Sequence, residues 1–257
     1  MEMVKVSGVH LEVQRLPGAA GQQLAPIVFL HEGLGSVSMW RDWPASVCAA
    51  AGRDGIVYSR RGYGRSDPIP DVRGAGRLGP DYMHREALDV LPELLRVLDV
   101  EKPVLLGHSD GATIALIHAG HFPVTACVVL APHVIVEDLS VQSIAQARIA
   151  YESGSMRERL ERYHADVDGA FWQWNDIWLS PAFRGFDIRT ECRRIEAPVF
   201  AIQGEDDPYG TVHQIEGIAP TLGPFSWQIL PRCGHSPQRD QPGRTLQLTV
   251  EFLAPLP

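Results

Sequence analysis

Six short apolar segments constrain the fold of this chain more than any other feature. They occupy residues 27–30, 56–58, 104–106, 127–130, 199–202 and 227–230. In these segments apolar residues stand at consecutive positions, so both faces of a strand formed there are largely apolar. A strand with one solvated face would instead alternate apolar and polar residues. We therefore expect an α/β fold built on a doubly wound, mostly parallel sheet that helices cover on both faces.

Longer segments with helical periodicity separate the apolar runs. The clearest covers residues 82–98, where leucines recur at helical spacing. Pro92 lies within it and is expected to kink the helix, because proline lacks an N–H and its ring collides with the preceding turn. Strands that alternate with helices imply right-handed crossovers. Before them, residues 3–6 and 9–16 predict an antiparallel hairpin around Ser7-Gly8.

The alternation of strands and helices stops between residues 133 and 190. This segment contains no convincing strand, and its helical patterns are rich in aromatic residues. It is far longer than the usual connection in an α/β unit, which takes about 2–6 residues apart from its helix. We therefore expect a small helical lid (the cap) at 133–190, inserted after a central strand. Residues 1–132 and 191–257 are then expected to form the core.

Charge and cysteine usage limit the partners and the compartment. The 257 residues include 31 acidic and 23 basic side chains, which gives a formal net charge of −8. This balance argues against nucleic acid or an anionic membrane as a partner, because both require a basic protein surface. We expect a small-molecule substrate instead. The four cysteines are scattered, no metal-ligand spacing occurs, and residues 1–20 show no secretory leader. We expect a reduced cytoplasmic protein with no bound metal, of undetermined oligomeric state.

The most informative motif is Gly107-x-Ser109-x-Gly111, which follows the apolar run at 104–106 and precedes a helical pattern. A strand that turns at once into a helix holds its central residue in strained backbone geometry and exposes the side chain at the carboxyl end of the strand. Small residues are needed two positions to either side, since larger side chains would collide there. The motif therefore predicts that Ser109 is a nucleophile.

A nucleophilic serine needs a base, and the base needs an acid to orient it. His108 is excluded as the base, because the side chains of adjacent residues diverge. His235 follows the last apolar run and is placed to reach Ser109 from the carboxyl edge of the sheet. The acid is expected after an intermediate strand, where acidic residues occupy positions 205–207. Spacing alone does not choose among these three.

The motifs resemble those of the α/β-hydrolase superfamily, and the resemblance extends over nearly the whole chain. Four segments carry it: Leu30-His31-Glu32-Gly33-Leu34-Gly35-Ser36, Arg61-Gly62-Tyr63-Gly64-Arg65-Ser66, Gly107-His108-Ser109-Asp110-Gly111, and Gly204-Glu205-Asp206-Asp207 with Gly234-His235. The resemblance implies an esterase-like serine hydrolase with a small helical cap. It also implies that Asp207 is the acid, because the family's acid usually stands three residues after the glycine.

The resemblance further implies an oxyanion hole made by two backbone N–H groups. By position these belong to Asp110 and Gly33. Leu34 is the alternative to Gly33, since Glu32 stands where the family usually has a glycine. A carboxylate directed into the hole would oppose the negative charge that develops there. We therefore expect the Asp110 side chain to point away from it.

Five residues are candidates for the walls of a substrate pocket: His31, Leu34, His133, Trp172 and Trp178. Simpler roles compete with this assignment. The His31 side chain is also suited to bond the backbone of its own loop. The tryptophans are also suited to form the core of the cap.

Hydrolysis of a small carboxylic ester through an acyl-enzyme is the function expected first, because an aromatic lid favours an apolar acyl or aryl group. No cofactor is expected. The fold itself is equally compatible with a C–C bond hydrolase or a thioesterase in small-molecule catabolism. An alternative of another class is a non-catalytic ligand-binding protein with the same fold. Such proteins commonly lose a member of the triad, whereas this chain has all three candidates.

Overall fold

The computed structural model describes residues 1–18 and 24–257, and a single eight-stranded sheet forms its centre. The strands are β1 (Glu2–Val6), β2 (Val9–Leu16), β3 (Ile27–Leu30), β4 (Gly55–Tyr58), β5 (Val104–His108), β6 (Ala126–Leu130), β7 (Val199–Gly204) and β8 (Phe225–Leu230). Residues 19–23 lie outside the described residues. They belong to the predicted core. Residues 19 and 20 also end the segment 1–20, for which the sequence predicts no secretory leader.

Helices connect the strands. They are α1 (Trp43–Ala51), α2 (Tyr82–Arg85), α3 (Leu91–Val97), α4 (Asp110–Ala119), α5 (Asp138–Glu152), α6 (Ser155–Leu160), α7 (Val167–Trp178), α8 (Arg189–Cys192), α9 (His213–Glu216), α10 (Pro237–Asp240) and α11 (Pro242–Leu253). Two 3₁₀ turns occupy Val37–Trp40 and Pro181–Phe183. Within the described part of the chain, no helix is long and apolar enough to cross a bilayer.

The order of the strands is β1-β2-β4-β3-β5-β6-β7-β8. β1 pairs antiparallel with β2, and β2 pairs antiparallel with β4. The pairs from β4 through β8 are all parallel. The predicted α/β class with a mostly parallel sheet is therefore confirmed. The chain winds to one side of β3 through β4 and to the other side through β5, so a topological switch point lies between β3 and β5. Ligands of such sheets bind at the carboxyl ends of the strands beside this point.

Both faces of the parallel strands are buried, as their consecutive apolar residues predict. On one face, Val28 packs in a cluster with Ile114 of α4. On the other face, its neighbour Ile27 packs in a second cluster with Val47 of α1 and Leu248 of α11. Full burial of such a side chain contributes about 1.5–3 kcal/mol. The two clusters hold the sheet rigidly, and the loops at its carboxyl edge are held with it.

The helix predicted at 82–98 changes its hydrogen-bonding pattern just before Pro92. After α2 the chain makes a π-helical turn at Glu86–Val90, and α3 then begins with Pro92 in its first turn. Because Pro92 lacks an N–H and its ring needs room beside the preceding turn, the helix widens just before it.

The segment between β6 and β7 contains α5 to α8. An isolated antiparallel bridge joins Ile135 to Asp187 across the base of this segment. Aromatic side chains pack its helices together, with the rings of Tyr151 on α5 and Phe171 on α7 stacked at 3.6 Å between centroids. The expected boundary between 190 and 191 falls inside α8. The division into core and cap remains a prediction.

Candidate active site

Ser109 occupies the turn between β5 and α4. Its backbone angles are φ 53° and ψ −120°, a conformation that L residues rarely adopt. The strain is imposed because β5 ends at His108 and α4 begins at Asp110, which leaves one residue to reverse the backbone. The Ser109 side chain is thereby presented at the carboxyl edge of the sheet, beside the switch point.

The two flanking glycines are required by close backbone contacts. A Cβ atom on Gly107 would collide with the carbonyl of Gly111 and with the backbone of Ala112. A Cβ atom on Gly111 would collide with the carbonyl of Leu30 at the end of β3. Backbone atoms cannot rotate out of the way, so both positions need glycine.

Ser109, His235 and Asp207 form a continuous hydrogen-bonded relay. The Ser109 Oγ lies 2.9 Å from the His235 Nε2. The His235 Nδ1 lies 2.9 Å from each carboxylate oxygen of Asp207. Since a carboxylate only accepts, Nδ1 carries the proton, and the Nε2 lone pair is left to accept the hydroxyl proton of Ser109. The structure thus brings together the three side chains that the sequence placed in three distant segments.

The local structure distinguishes Asp207 from the two acidic residues before it. Asp207 follows β7 and is buried, whereas Glu205 and Asp206 are exposed. Burial alone would raise the pKa of Asp207. The hydrogen bond and charge of His235, together with the Tyr209 N–H at 2.8 Å, outweigh burial and lower it. Asp207 is thus held as a carboxylate that faces the imidazole.

Gly33, Leu34 and Asp110 line the same cavity as Ser109, and their backbone N–H groups make no hydrogen bond to any other group in residues 1–18 and 24–257. The Trp174 indole covers Gly33 so closely that a Cβ atom there would collide with its Nε1. The arrangement supplies donors for an oxyanion. It leaves both Gly33 and Leu34 available as the partner of Asp110.

A cavity of about 210 Å³ opens onto Ser109. Its apolar walls are formed by Leu34, Met39, Ile144, Met156, Leu160, Trp174 and Trp178. Glu32, His108, His133, Tyr209, His235 and Arg239 contribute polar groups. Of the five predicted pocket residues, Leu34, His133 and Trp178 therefore line the cavity.

His31 and Trp172 do not line this cavity. The His31 ring is turned into the protein, where its Nε2 accepts the Arg60 N–H at 3.0 Å and its Nδ1 donates to the Glu32 carbonyl at 2.7 Å. Burial holds the His31 pKa well below its usual value, so the ring is neutral. Trp172 lies on another face of α7, where the Arg73 guanidinium stacks on its ring at 3.9 Å.

Comparison with known proteins agrees with this geometry. Residues 27–248 match the model of the alpha/beta hydrolase family. The chain belongs to this family. No curated protein matches this α/β hydrolase.

Solved structures with the same fold share little sequence with this α/β hydrolase. An enol-lactonase from Burkholderia xenovorans LB400 superposes with a TM-score of 0.75 at 19% identity, covering 98% of this chain and 99% of that one. A thermophilic esterase from Thermogutta terrifontis gives 0.74 at 20%, covering 98% of both chains. An esterase from Exiguobacterium antarcticum gives 0.74 at 18%, again with 98% of both chains covered. Because the identities are only 18–20%, these similarities show that the fold is shared.

Several residues that line the cavity of this α/β hydrolase were missed by the sequence analysis, and for one of them, Trp174, a signal was present. Trp174 precedes Trp178 by one helical turn, so both lie on the same face of α7. Trp172 stands two residues before Trp174 and therefore points elsewhere. Glu32 was noted as a departure from the family pattern, but sequence gave no sign that its side chain reaches the cavity.

The Asp110 side chain of this α/β hydrolase is tied to α2. Its Oδ2 accepts the Tyr82 hydroxyl at 2.7 Å, and its Oδ1 has no partner among the described residues. Burial raises its pKa, although the Arg60 charge and the Tyr82 hydroxyl act against this rise. The Tyr82 hydroxyl thus holds the Asp110 carboxyl group against α2.

His133 lies beside the His235 imidazole. Its ring centroid is 5.5 Å from that of His235 and 4.9 Å from that of Trp178. Burial, helped by the charge of His235, lowers the pKa of His133 to about 3. The ring is therefore neutral and adds no second positive charge beside His235. Among the described residues, no group of three or more His, Cys, Asp or Glu side chains is placed to hold a metal ion.

Proposed function

We propose that this α/β hydrolase cleaves a small carboxylic ester by way of a covalent acyl-enzyme. The relay of Ser109, His235 and Asp207, with both links at 2.9 Å, is the observation that carries the proposal. A serine hydroxyl is a weak nucleophile at neutral pH, and an imidazole in contact with it removes that limitation.

In the proposed cycle, the Ser109 Oγ attacks the ester carbonyl while the His235 Nε2 takes its proton. Asp207 holds the imidazole tautomer and stabilises the imidazolium. The N–H groups of Asp110 and Gly33 receive the oxyanion, and each such donor lowers the barrier by about 2.7–4 kcal/mol. His235 then protonates the departing alkoxide. Water activated by the same imidazole attacks the acyl-enzyme, which releases the acid and restores Ser109.

The cavity supports a small substrate with an apolar acyl or aryl group. Its volume of about 210 Å³ lies below the range of about 300–1,000 Å³ that is usual for drug-sized ligands. Its aliphatic and indole side chains favour an apolar group. The structural neighbours described as esterases and an enol-lactonase support an ester or a cyclic ester as the bond cleaved.

A labelling experiment tests the proposal directly. A fluorophosphonate probe should attach to the peptide that contains Ser109, and Ser109→Ala should abolish both labelling and the hydrolysis of 4-nitrophenyl acetate. Ser46→Ala, at an exposed serine of α1 whose hydroxyl bonds only the Asp42 carbonyl among the described residues, is the matched control. Attachment to a peptide without residue 109, or full turnover by Ser109→Ala, would overturn the assignment.

Competing bond types are separated by a substrate panel. We expect turnover of short-chain 4-nitrophenyl esters and simple lactones to exceed that of an acyl-CoA thioester or a dienoate ring-cleavage product. The opposite order would favour the thioesterase or the C–C hydrolase. Ligand binding without turnover of any panel member would favour a non-catalytic role.

The proposed reaction requires no cofactor, and a small molecule is the proposed partner. We propose a cytoplasmic location, which is supported by four cysteines that are all unpaired and buried.

A further inference from the structure

His108 lies beside the nucleophile but takes no part in the proposed cycle. Its side chain is 1% exposed and projects from the last residue of β5. We propose that His108 is a positioning residue, whose imidazole is held by Glu32 and fixes the backbone of His235 relative to Ser109. This inference rests on the proposed function, because it concerns the same catalytic base.

One nitrogen of His108 holds the loop of the base. The His108 Nε2 lies 2.7 Å from the backbone carbonyl of His235. A carbonyl only accepts, so Nε2 must carry a proton and donate it. His235 is therefore attached to the end of β5 twice, through its own ring to Ser109 and through its carbonyl to the residue before Ser109. Two attachments to one strand fix both the distance and the orientation of the base.

The other nitrogen of His108 faces a carboxylate. The Glu32 Oε2 lies 3.4 Å from the His108 Nδ1. The Gln238 amide is 3.0 Å from the same nitrogen, and the Gln238 Oε1 has no partner among the described residues. The Gln238 amide donates to Nδ1 and the Glu32 carboxylate lies against the same side of the ring, so both side chains hold the imidazole while its Nε2 donates to the His235 carbonyl.

The pairing also explains how Glu32 is tolerated beside the oxyanion loop. Burial acts to raise the pKa of Glu32, but its contact with His108 and the nearby charges outweigh burial and lower the pKa to about 2. An unpaired carboxylate directly before Gly33 would oppose an oxyanion there. The Glu32 carboxylate is instead turned against the His108 ring, 3.4 Å from Nδ1, so the departure at position 32 and the histidine at position 108 form one unit.

A single imidazole thus joins two separate loops to the end of β5. Glu32 belongs to the oxyanion loop after β3, His108 ends the strand that carries the nucleophile, and His235 belongs to the loop after β8. Proximity effects in catalysis are steep, since a misplacement of about 1 Å costs about 10²-fold in rate. Removing the shared imidazole should therefore lower the rate of acylation, while the apolar residues that line the cavity stay the same.

Two substitutions at position 108 separate hydrogen bonding from volume. His108→Leu removes both ring nitrogens, and we expect kcat for 4-nitrophenyl acetate to fall about 10²-fold while KM stays near the wild-type value. His108→Gln retains an N–H close to the position of Nε2, so most of the loss should be recovered. His84 forms a similar contact with Glu191 at 3.1 Å away from the site, and His84→Leu and His84→Gln are the matched controls.

Glu32→Gln tests the second half of the inference. Because Glu32 acts through His108, we expect it to lower kcat in the wild-type background and to have no further effect in His108→Leu. Glu191→Gln, alone and with His84→Leu, should leave kcat unchanged. Thermal unfolding of each variant shows whether it is folded. If His108→Leu fails to fold, the test rests on the other two variants. The positioning role then requires that His108→Gln keeps most of the wild-type kcat and that Glu32→Gln lowers kcat.

The outcomes separate this inference from the proposed function. If the wild-type protein does not react with a fluorophosphonate at Ser109, the proposed function fails. If it reacts and His108→Leu reacts at the same rate, the positioning role alone fails. The positioning role is also wrong if folded His108→Gln is as slow as His108→Leu, or if the effects of Glu32→Gln and His108→Leu on the activation free energy simply add.

Discussion

The Arg60 guanidinium donates a hydrogen bond of 3.1 Å to the backbone carbonyl of Glu32. A second N–H of the same guanidinium donates to the carbonyl of His31 at 2.5 Å. Arg60 lies two residues after the end of β4, and it is 4% exposed. The loop that begins at His31 is therefore held by a buried cation that lies just after β4, the neighbouring strand.

Arg60→Met should destabilise the protein and slow it. Removing one partner from a buried charged network costs about 3–5 kcal/mol, since Glu86 and Asp110 lose the positive charge they face. Chemical denaturation gives the free energy of unfolding, and the burst of 4-nitrophenol gives the acylation rate. Arg61→Met is the control, because Arg61 is exposed and bonds only its own loop through the Pro68 carbonyl. Equal losses for both variants would contradict the supporting role of Arg60.

Asp207→Asn should lower kcat by about 10⁴-fold, because an amide no longer fixes the tautomer in which the imidazole accepts the serine proton. Asp206→Asn alters an adjacent, exposed acid and should leave kcat near the wild-type value. Steady-state kinetics with one ester compare the two. A large loss in Asp206→Asn with little loss in Asp207→Asn would reverse the assignment of the acid.

Gly33→Ala should raise the barrier by about 2.7–4 kcal/mol, since the new methyl group collides with the Trp174 indole and displaces the N–H donor. The double variant Gly33→Ala/Trp174→Ala removes the obstacle and should recover part of kcat. Gly185→Ala, where a Cβ atom would meet nothing, is the control. No recovery in the double variant would show that the collision with Trp174 is not the cause.

Glu32 should stabilise the fold in a pH-dependent way. Its pKa falls from 4.5 to about 2 on folding, so its stabilising contribution is complete above pH 4.5 and is lost as the pH drops towards 2. The shift corresponds to about 3 kcal/mol. Denaturant unfolding between pH 7 and pH 3 should therefore show the advantage of wild type over Glu32→Gln shrinking with acidity. Glu205→Gln, at an exposed carboxylate, is the control, and a gap that does not change with pH would contradict the shift.

Substitution of two nearby tryptophans should have different effects on acyl selectivity. Trp174→Ala enlarges the cavity and should shift the preference, measured as kcat/KM over a series of 4-nitrophenyl esters, towards longer chains. Trp172→Ala lies outside the cavity and should leave the preference unchanged. A shift caused by Trp172→Ala alone would place the acyl group on the other face of α7.

The architecture could be read from the sequence because it depends on local patterns. Consecutive apolar residues between Gly- and Pro-rich loops predict strands that are buried on both faces. The spacing around Ser109 predicts the turn that presents it. These features act over a few residues, where backbone sterics and burial decide the outcome.

The walls of the candidate site were less predictable because they depend on side-chain direction. An aromatic residue in the cap faces the cavity or the solvent according to its angle around α7, and this angle separates Trp172 from Trp174. His31 was expected to be either a pocket residue or a partner of its own loop. The buried backbone N–H of Arg60, 29 positions away, draws its ring inward. Contacts across such distances leave no periodic signal in the sequence.

The glycines at positions 107 and 111 have a consequence for how such chains should be classified. Their neighbours are main-chain atoms, so the demand for glycine comes from the shape of the bend and would persist in a descendant that had stopped hydrolysing anything. Retention of this pentapeptide therefore shows only that the bend is preserved. Whether a relative still performs chemistry is better judged from the distant aspartate and histidine, which the bend itself does not require.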